Sequence, residues 1–289
     1  MTTVLRTVAE VRNWRSALPA SAVVGFVPTM GALHDGHMSL VEIARSRGDV
    51  TIVSIFVNPL QFGPNEDLDK YPRPVAKDLA LLEAADVDAV FLPSVETLYP
   101  EGASTFVEEE RVSGPLCGAL RPGHFRGVTT VVLKLFNIVA PDFAVFGQKD
   151  AQQCAVIERM VRDLCVPIEI VRRPIVREAD GLALSSRNIY LSPEERAAAP
   201  LIHQSLMAAA AAFEAGERDA AALAGIGRAV LDGDPRFSPQ YWEVRDPQSL
   251  ETVARVGDLG ALMAVATHLG ATRLIDNMVI GGGTNGTAT

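Results

Sequence analysis

The sequence predicts an α/β fold, a Rossmann-like doubly wound parallel sheet followed by a smaller α+β C-terminal domain. In the first half, apolar runs of strand length alternate with helically spaced segments, which is typical of parallel strands joined by right-handed crossovers. The second half instead holds alanine-rich helical stretches followed by strand-like runs. We therefore place the domain boundary near Val176–Gly181, which gives a ligand-binding domain over 1–176 and a closing domain over 177–289.

Five short apolar runs of the first half are bounded by turn-forming residues and predict strands. They are Val23–Val27 (ending at Pro28), Val50–Val57, Asp88–Leu92, Phe143–Phe146 and Ile168–Val171. Apolar residues at helical spacing between these runs predict helices, and the remaining stretch, Ser94–Arg126, is predicted as a loop region. The helices are Met38–Arg47, Pro74–Ala85, Val128–Val139 and Ala151–Leu164.

In the second half, Ser192, Pro193 and Glu195 form a helix-start signal with a capping box. We expect that helix to continue through the alanine-rich stretch to Phe213 and to stop at Gly216. A further helix and a small antiparallel sheet follow, and a glycine-rich tail from about Gly281 is predicted to be disordered. This helix and the three strands are Asp219–Leu231, Tyr241–Val244, Ala261–Thr267 and Leu274–Ile280.

The charge balance limits the classes of macromolecule that the protein can bind. Lys plus Arg number 26 against 35 for Asp plus Glu, so the net charge is −9. A protein that coats nucleic acid or an anionic membrane needs a basic surface, and we exclude both partners. No apolar stretch is long enough to span a membrane.

The three cysteines, Cys117, Cys154 and Cys165, form no Cys-x-x-Cys pair, which favours reduced thiols in the cytoplasm. Cys154 and Cys165 lie in apolar stretches and are predicted to be inert core thiols.

The segment from Val27 to His37 reads Val-Pro-Thr-Met-Gly-Ala-Leu-His-Asp-Gly-His and follows the first predicted strand. In open α/β sheets, ligands bind beyond the carboxyl ends of the strands, where a helix N-terminus offers free N–H groups to an anion. His34 and His37 are three residues apart and share one face of a helical turn. They can donate hydrogen bonds to phosphate oxygens.

Two other interpretations of this pair stay open. His34 can simply cap the helix while His37 packs at the surface. A zinc site would need a third ligand, for which His124, His203 and His268 are the available histidines.

Two further segments supply positive charge. Gly147-Gln148-Lys149-Asp150 follows the fourth strand, which directs the Lys149 ammonium to the same edge of the sheet. At the domain junction, Ser185 and Ser186 precede Arg187, whose guanidinium can bind an anion in bidentate fashion. A plain turn with a helix cap is the alternative for that loop.

Neutral amides complete the set. Asn58 and Gln61 follow the second strand and Gln153 lies just beyond Asp150, where they suit recognition of hydroxyl and carbonyl groups. Asn-Pro is also an ordinary turn signal. The chain has no P-loop, dinucleotide fingerprint or nucleophile elbow, so those three functions are unsupported.

Together these four segments resemble the pantothenate synthetases, ATP-dependent ligases that join pantoate to β-alanine. The resemblance implies that His37 is the proton donor, with His34, Lys149 and Arg187 stabilising phosphate charge. It also implies that Gln61, Gln153 and Asn58 contact pantoate and β-alanine, and that Tyr71 lies in a flexible cover. The implied ATP-binding residues are Met30, Gly31, Ala32, Leu33, His34, Asp35, Gly36, His37, Gly147, Gln148, Lys149, Asp150, Val176, Leu184, Ser185, Ser186 and Arg187.

The resemblance further implies a pantoyl-adenylate intermediate, Mg²⁺ carried mainly by the ATP phosphates, and a homodimer. Asp78 is a weak candidate for contact with the metal. The chain carries Gln148 where the family usually has Glu. A related nucleotidyltransferase that stops after nucleotide transfer, and a non-catalytic nucleotide sensor, are the alternative functions.

Overall fold

The computed structural model describes residues 1–64 and 66–282. The chain forms two compact units. The first unit comprises 1–114, 118–148 and 156–174, and the second comprises 115–117, 149–155 and the chain from 175 onward. The boundary predicted at Val176 stays a prediction, and the two short pieces that group with the second unit had no signal in the sequence.

The first unit contains a parallel sheet with helices, as predicted. Within the described residues it has six strands in the order β1-β4-β3-β2-β5-β6, and every pair is parallel. The strands are β1 (Thr3–Leu5), β2 (Val24–Thr29), β3 (Val50–Ile55), β4 (Ala89–Phe91), β5 (Phe143–Gly147) and β6 (Glu169–Arg173). β1 lies at the edge and was missed, because three residues are too few to show a period.

Strand β2 does not end at Pro28 as predicted but continues to Thr29. Its neighbour β5 pairs with it only at Gly25 and Phe26, whereas β3 pairs with it along its whole length. Pro28 therefore lies beyond the part of β2 that is paired with β5, where a missing N–H costs no ladder hydrogen bond.

Helices flank this sheet. The predicted helix over Val128–Val139 begins four residues earlier, after Gly123, which takes a left-handed φ of 80°. The helix over Val8–Ser16, with a Thr7 capping box, was not predicted. The helices are α1 (Val8–Ser16), α2 (Asp35–Arg47), α3 (Val75–Ala84), α4 (Val95–Leu98), α5 (Cys117–Leu120), α6 (His124–Val139) and α7 (Ala151–Asp163). α5 and α7 each have residues in both units.

The central strands are buried on both faces, as parallel strands covered by helices should be. Phe26, Ile52 and Phe91 are fully buried in β2, β3 and β4. One apolar cluster joins the strands to α2 through Leu40, Val41 and neighbouring residues.

The second unit contains the predicted antiparallel sheet, ordered β7-β8-β9. Its strands are β7 (Phe237–Arg245), β8 (Ala261–Leu269) and β9 (Thr272–Ile280). The predicted long helix is wrong in one respect: it is broken at Pro200, which has no N–H to continue a helix. The helices are α8 (Pro193–Ala198), α9 (Leu201–Glu214) and α10 (Ala220–Asp232), and α8 begins with the predicted Ser192 capping box.

Cys117 and Cys154 are buried, but the prediction of a core thiol at Cys165 is wrong because this residue is exposed. α7 ends at Asp163, and Cys165 takes a left-handed φ of 52° that turns it away from the helix. Most of the glycine-rich tail, from 283 onward, lies outside the described residues. Among the residues that the structure describes, no helix has the length and apolar character needed to cross a membrane.

Candidate active site

The strand order of the first unit creates a topological switch point between β2 and β5. From β2 the chain proceeds outward through β3 and β4, whereas β5 leads to β6 on the other side. Ligands of open α/β sheets bind outside the carboxyl ends of the strands at such a point. β2 is followed by the segment Met30–His37, and β5 ends at Gly147 and is followed by Gln148. The predicted histidine loop therefore begins at the expected place.

The loop after β2 has a strained backbone that one buried carboxylate holds. Gly31 has a φ of 82° and Ala32 a φ of 50°, which is unfavourable for a residue with a side chain. Asp78 of α3 is only 1% exposed, and its two oxygens accept from the N–H groups of Ala32 (2.8 Å) and Leu33 (2.9 Å). Asp78 is thus an anchor for the loop, a function that the sequence did not reveal.

A cavity of about 220 Å³ opens beside this loop, with Met30, Gly31, Phe56 and Asp78 among the residues that line it. The volume suits a small ligand or part of a larger one.

His34 and His37 form an adjacent pair at the start of α2. His34 is the N-cap, and its Nδ1 accepts from the N–H of Gly36 at 3.1 Å. The centroids of the two imidazole rings are 4.1 Å apart, with an interplanar angle of 44°. His34 therefore caps α2, as one of the two alternative interpretations stated, and its ring also lies beside that of His37. Because Nδ1 accepts, the proton of a neutral His34 is on Nε2, where it can be donated to a ligand oxygen.

Asn58 and Gln61 follow the carboxyl end of β3, the strand that pairs with β2 on its other side. Asn58 is 1% exposed, and its Oδ1 accepts from the Tyr99 hydroxyl at 2.8 Å. Its Nδ2 donates to the carbonyl of Gly127 (3.1 Å) and to Oε1 of Gln61 (3.0 Å). The Gln61 amide nitrogen contacts the sulfur of Met30 at 3.1 Å. Asn58 therefore fixes the orientation of the Gln61 amide from inside the protein.

Helix α6 supports the same segment. A Cβ at Gly127 would clash with the carbonyl of Leu60, so only glycine allows this approach. His124 Nδ1 lies 2.8 Å from the carbonyl oxygen of Gln61, and Arg121 Nη1 lies 3.0 Å from His124 Nε2. Since a carbonyl can only accept and a guanidinium can only donate, the neutral Nδ1–H tautomer of His124 is assigned by its partners.

Arg121 is itself held by Glu66, through two hydrogen bonds of 2.6 Å. Burial alone would raise the pKa of the Glu66 carboxyl, but the hydrogen bonds and charge of Arg121 outweigh it and lower that pKa below its ordinary value. The ion pair with Glu66 therefore holds the Arg121 guanidinium beside His124 and the carbonyl of Gln61.

Gln148 contacts an arginine. Its Oε1 accepts from Arg172 Nη1 at 3.3 Å, while the same guanidinium makes a bidentate ion pair of 2.5 Å with Glu158. The neutral amide of Gln148 is thus a hydrogen-bond acceptor for Arg172, and Glu158 supplies negative charge beside the same guanidinium.

The second unit carries the remaining predicted site residues. Lys149 and Asp150 lie in the 3-10 turn Gln148–Asp150, and Gln153 follows in α7. The carbonyl of Lys149 accepts from the side-chain amide of Asn277 at 2.9 Å.

Val176 and Leu184 face each other across a small hairpin, in which the N–H of Leu184 donates to the Val176 carbonyl at 3.0 Å. Ser185 caps the 3-10 helix Ser186–Tyr190 by accepting from the N–H of Arg187 at 3.2 Å. Ser185 is therefore a helix cap, as the alternative interpretation of this loop stated. Its hydrogen bond fixes the backbone of Arg187.

The predicted site residues are thus distributed over both units, and each set is organised within its own unit. The first unit brings the histidine loop, Asn58 and Gln61 to the carboxyl edge of its sheet, together with Gly147 and Gln148. The second unit groups Lys149 and the hairpin with strand β9. Sequence reasoning missed the supporting role of six residues, although it named Asp78 and His124 as candidates for other roles. The six are Asp78, Tyr99, Arg121, His124, Asp276 and Asn277.

In the parts of the chain that the structure describes, no three His, Cys, Asp or Glu side chains gather as a ligand set. Both oxygens of Asp78 are engaged by backbone N–H groups, so this carboxylate does not suit a metal.

Fold and candidate site together define the class of protein, a Rossmann-like α/β protein with a histidine pair after the strand at the switch point of its sheet. A family model described as pantoate-beta-alanine ligase matches residues 3–279. The chain therefore belongs to the pantoate–β-alanine ligase family, and it is a ligase.

Named relatives and solved structures agree with this family. The chain is 56% identical over 279 residues to a pantothenate synthetase of Chloroflexus aurantiacus, covering 96% of this chain and 98% of the relative. A crystal structure of pantothenate synthetase from Thermus thermophilus matches with a TM-score of 0.91 at 47% identity, over 96% of this chain and 99% of that one. The pantoate-beta-alanine ligase of Francisella tularensis, solved with beta-gamma ATP and β-alanine, matches with a TM-score of 0.79 at 33% identity, over 96% and 98%.

Proposed function

We propose that this protein condenses (R)-pantoate with β-alanine at the expense of ATP, giving pantothenate, AMP and pyrophosphate. In the first step a pantoate carboxylate oxygen attacks the α-phosphorus, the bond from that phosphorus to the bridging oxygen breaks, and pyrophosphate leaves. In the second step the β-alanine amine attacks the acyl carbon of pantoyl adenylate, AMP leaves and the nitrogen loses a proton. The sequence of steps needs no protein nucleophile.

The observation that carries the proposal is the histidine pair at the N-terminus of α2. A helix N-terminus at the switch point is a ready anion site. His34 donates from Nε2 because its Nδ1 is occupied by the Gly36 N–H. His37, whose ring lies 4.1 Å from that of His34, is the proposed proton donor to the departing phosphate.

The nucleotide is bound by the segments that the resemblance indicated. Lys149 and Arg187 supply positive charge to the phosphates, and the hydroxyls of Ser185 and Ser186 add donors. The full set of proposed ATP contacts is Met30–His37, Gly147–Asp150, Val176 and Leu184–Arg187.

Pantoate is held by the amides of Gln61 and Gln153, and Gln61 also neighbours β-alanine. The buried contacts of Asn58 support a change of its role from substrate ligand to the residue that orients Gln61. With Oε1 of Gln61 occupied by Asn58, the Gln61 amide nitrogen serves as the donor towards a hydroxyl or carboxylate of pantoate.

Mg²⁺ enters with the ATP phosphates and not from a protein cage, in keeping with its preference for substrate phosphates and water. The protein works in the cytoplasm as a homodimer, two expectations that follow from family resemblance and the reduced cysteines.

The test is the substrate dependence of the two products. Pyrophosphate release from ATP should require pantoate, and AMP should appear only when β-alanine is added. A related nucleotidyltransferase would release pyrophosphate better with another acceptor and would not form AMP with β-alanine. A nucleotide sensor would bind ATP without turnover. Either result refutes the proposal.

Replacing His37 tests the catalytic assignment. His37→Ala should lower kcat about 10²- to 10³-fold, the usual loss for one donor to developing charge. His268→Ala, in strand β8 of the second unit, is the matched control and should leave kcat unchanged. Circular dichroism of both variants verifies the fold. Undiminished turnover in His37→Ala would remove His37 from the mechanism.

A further inference from the structure

Strand β9 carries two adjacent buried polar residues, Asp276 and Asn277. They are 3% and 4% exposed. Successive side chains of a strand point to opposite faces of the sheet, so the side chains of Asp276 and Asn277 contact different parts of the protein. Buried polar groups in native proteins are hydrogen-bonded, and the partners of these two identify what they hold.

Asn277 holds the backbone of Lys149. Its side-chain nitrogen donates to the Lys149 carbonyl at 2.9 Å, across 128 positions of sequence. The acceptor belongs to the 3-10 turn Gln148–Asp150, which leads into α7. The position of the Lys149 backbone, and with it the origin of the lysine side chain, is therefore tied to β9.

Asp276 holds the hairpin that precedes Arg187. Arg177 makes a bidentate ion pair with Asp276, at 2.6 and 2.9 Å, and also donates to the carbonyl of Gly181 at 3.1 Å. Gly181 is the turn of the hairpin between Val176 and Leu184 and has a φ of 95°. Residues 184–187 continue directly from this hairpin.

We propose that Asp276 and Asn277 are positioning residues that set the Lys149 and Arg187 segments relative to each other for one nucleotide phosphate chain. Because the two are neighbours in one rigid strand, the two anchors are fixed by the geometry of a single peptide unit. The inference rests on the proposed function of Lys149 and Arg187, and it adds residues that touch neither substrate.

The alternative is that both side chains serve only to satisfy buried groups. A double-mutant cycle separates the two possibilities, because residues that act as one unit show non-additive losses. If Asn277 acts through Lys149, its replacement should cost nothing more once the lysine side chain is gone. A merely structural effect should be additive.

The experiment compares Asn277→Ala, Lys149→Ala and the double variant in pantoate-dependent pyrophosphate release by the full chain. We expect Asn277→Ala to lower kcat/KM for ATP about tenfold, and to change it less than about twofold in the Lys149→Ala background. Additive losses would overturn the proposal.

Ser205→Ala is the matched control for loss of a buried hydrogen bond in the same unit. The hydroxyl of Ser205 is 0% exposed and accepts from the Trp242 indole at 3.0 Å. This variant should lower Tm comparably and leave kcat/KM unchanged. An equal loss of activity in Ser205→Ala would show that Asn277 is only structural. If Asn277→Ala is not folded by circular dichroism, Asn277→Ser takes its place.

Calorimetric titration with ATP and Mg²⁺ makes the two proposals separable. If wild-type protein releases no pyrophosphate with pantoate, the proposed function fails whatever the variants do. Asn277→Ala should still weaken ATP binding severalfold, and only when Lys149 is present. Binding that is unchanged in Asn277→Ala overturns the positioning role.

Discussion

The two units hold their irregular site segments by different means. In the first unit, the buried carboxylate of Asp78 accepts directly from the N–H groups of Ala32 and Leu33. In the second, Asp276 reaches its hairpin through Arg177, which donates to the carbonyl of Gly181. The backbone conformations of the two segments differ as well. Ala32 is strained at a φ of 50°, whereas Gly181 adopts a φ of 95° without strain because it has no side chain. A strained residue is thus held by direct, charge-assisted bonds, and a glycine turn by a longer chain of contacts.

Replacing the carboxylate of the second unit should have the largest effect on stability. Asp276→Asn leaves the mostly buried Arg177 guanidinium without its countercharge, and we expect a loss of about 3–5 kcal/mol in the free energy of unfolding. Denaturation in urea measures it. Asp232→Asn, which removes the exposed partner of Arg228 in the same unit, should cost under about 1 kcal/mol. Equal losses of unfolding free energy in the two variants would show that the buried ion pair of Asp276 stabilises the protein no more than an exposed one.

The equivalent change in the first unit should cost less stability and more activity. Asp78→Asn replaces one acceptor oxygen by an NH₂ group that cannot accept, for a loss of about 1–3 kcal/mol. Since the loop that carries His34 would shift, kcat should fall about 10²-fold. Steady-state kinetics and urea denaturation give the two values.

Asp88→Asn is the control for Asp78. Its carboxylate also accepts from a backbone N–H, that of Thr51 at 2.8 Å, but at the opposite end of the sheet. It should leave kcat unchanged. A comparable fall in kcat would mean that the sheet and not the loop transmits the effect.

The smallest effect concerns pH and is confined to the second unit. Burial lowers the pKa of His203, and the nearby positive charge of Arg177 lowers it further, against a weaker opposing effect of Asp276. Below about pH 6.5 the unfolded chain takes up a proton that the folded chain does not, so stability falls as the pH falls through that value. Above that pH, the contribution of His203 to the free energy of unfolding does not change with pH.

The measurement is the free energy of unfolding of wild type and His203→Leu at about pH 7.5 and about pH 5.5. The variant should lose less stability between the two values than wild type. Identical losses would assign the acid sensitivity to other groups.

The sequence predicts the parts of the site that follow strand ends. The doubly wound sheet and the second, antiparallel sheet are confirmed, because alternating apolar runs and helical spacing are local signals. From them the strand-end rule locates the histidine loop, Asn58 and Gln61 without any knowledge of three-dimensional contacts, whereas the expectation that Lys149 reaches the same edge stays a prediction.

The supporting residues leave no such signal. Asp78 bonds to the backbone 46 and 45 positions away, and Asn277 to the backbone 128 positions away. Backbone groups are the same at every position, so nothing in the sequence marks them as partners. The break at Pro200 was missed for a different reason. The alanine-rich composition around it favours one continuous helix, whereas the missing N–H of the proline interrupts that helix.

The thiol of Cys165 is the exposed one among the three cysteines, and it is held on a left-handed backbone just after α7. It is therefore a ready-made attachment point for a maleimide dye or spin label. A label there reports on the end of α7, a helix whose first turn begins directly after Lys149 and Asp150. Substrate-dependent changes of this segment can accordingly be followed spectroscopically without introducing a new cysteine.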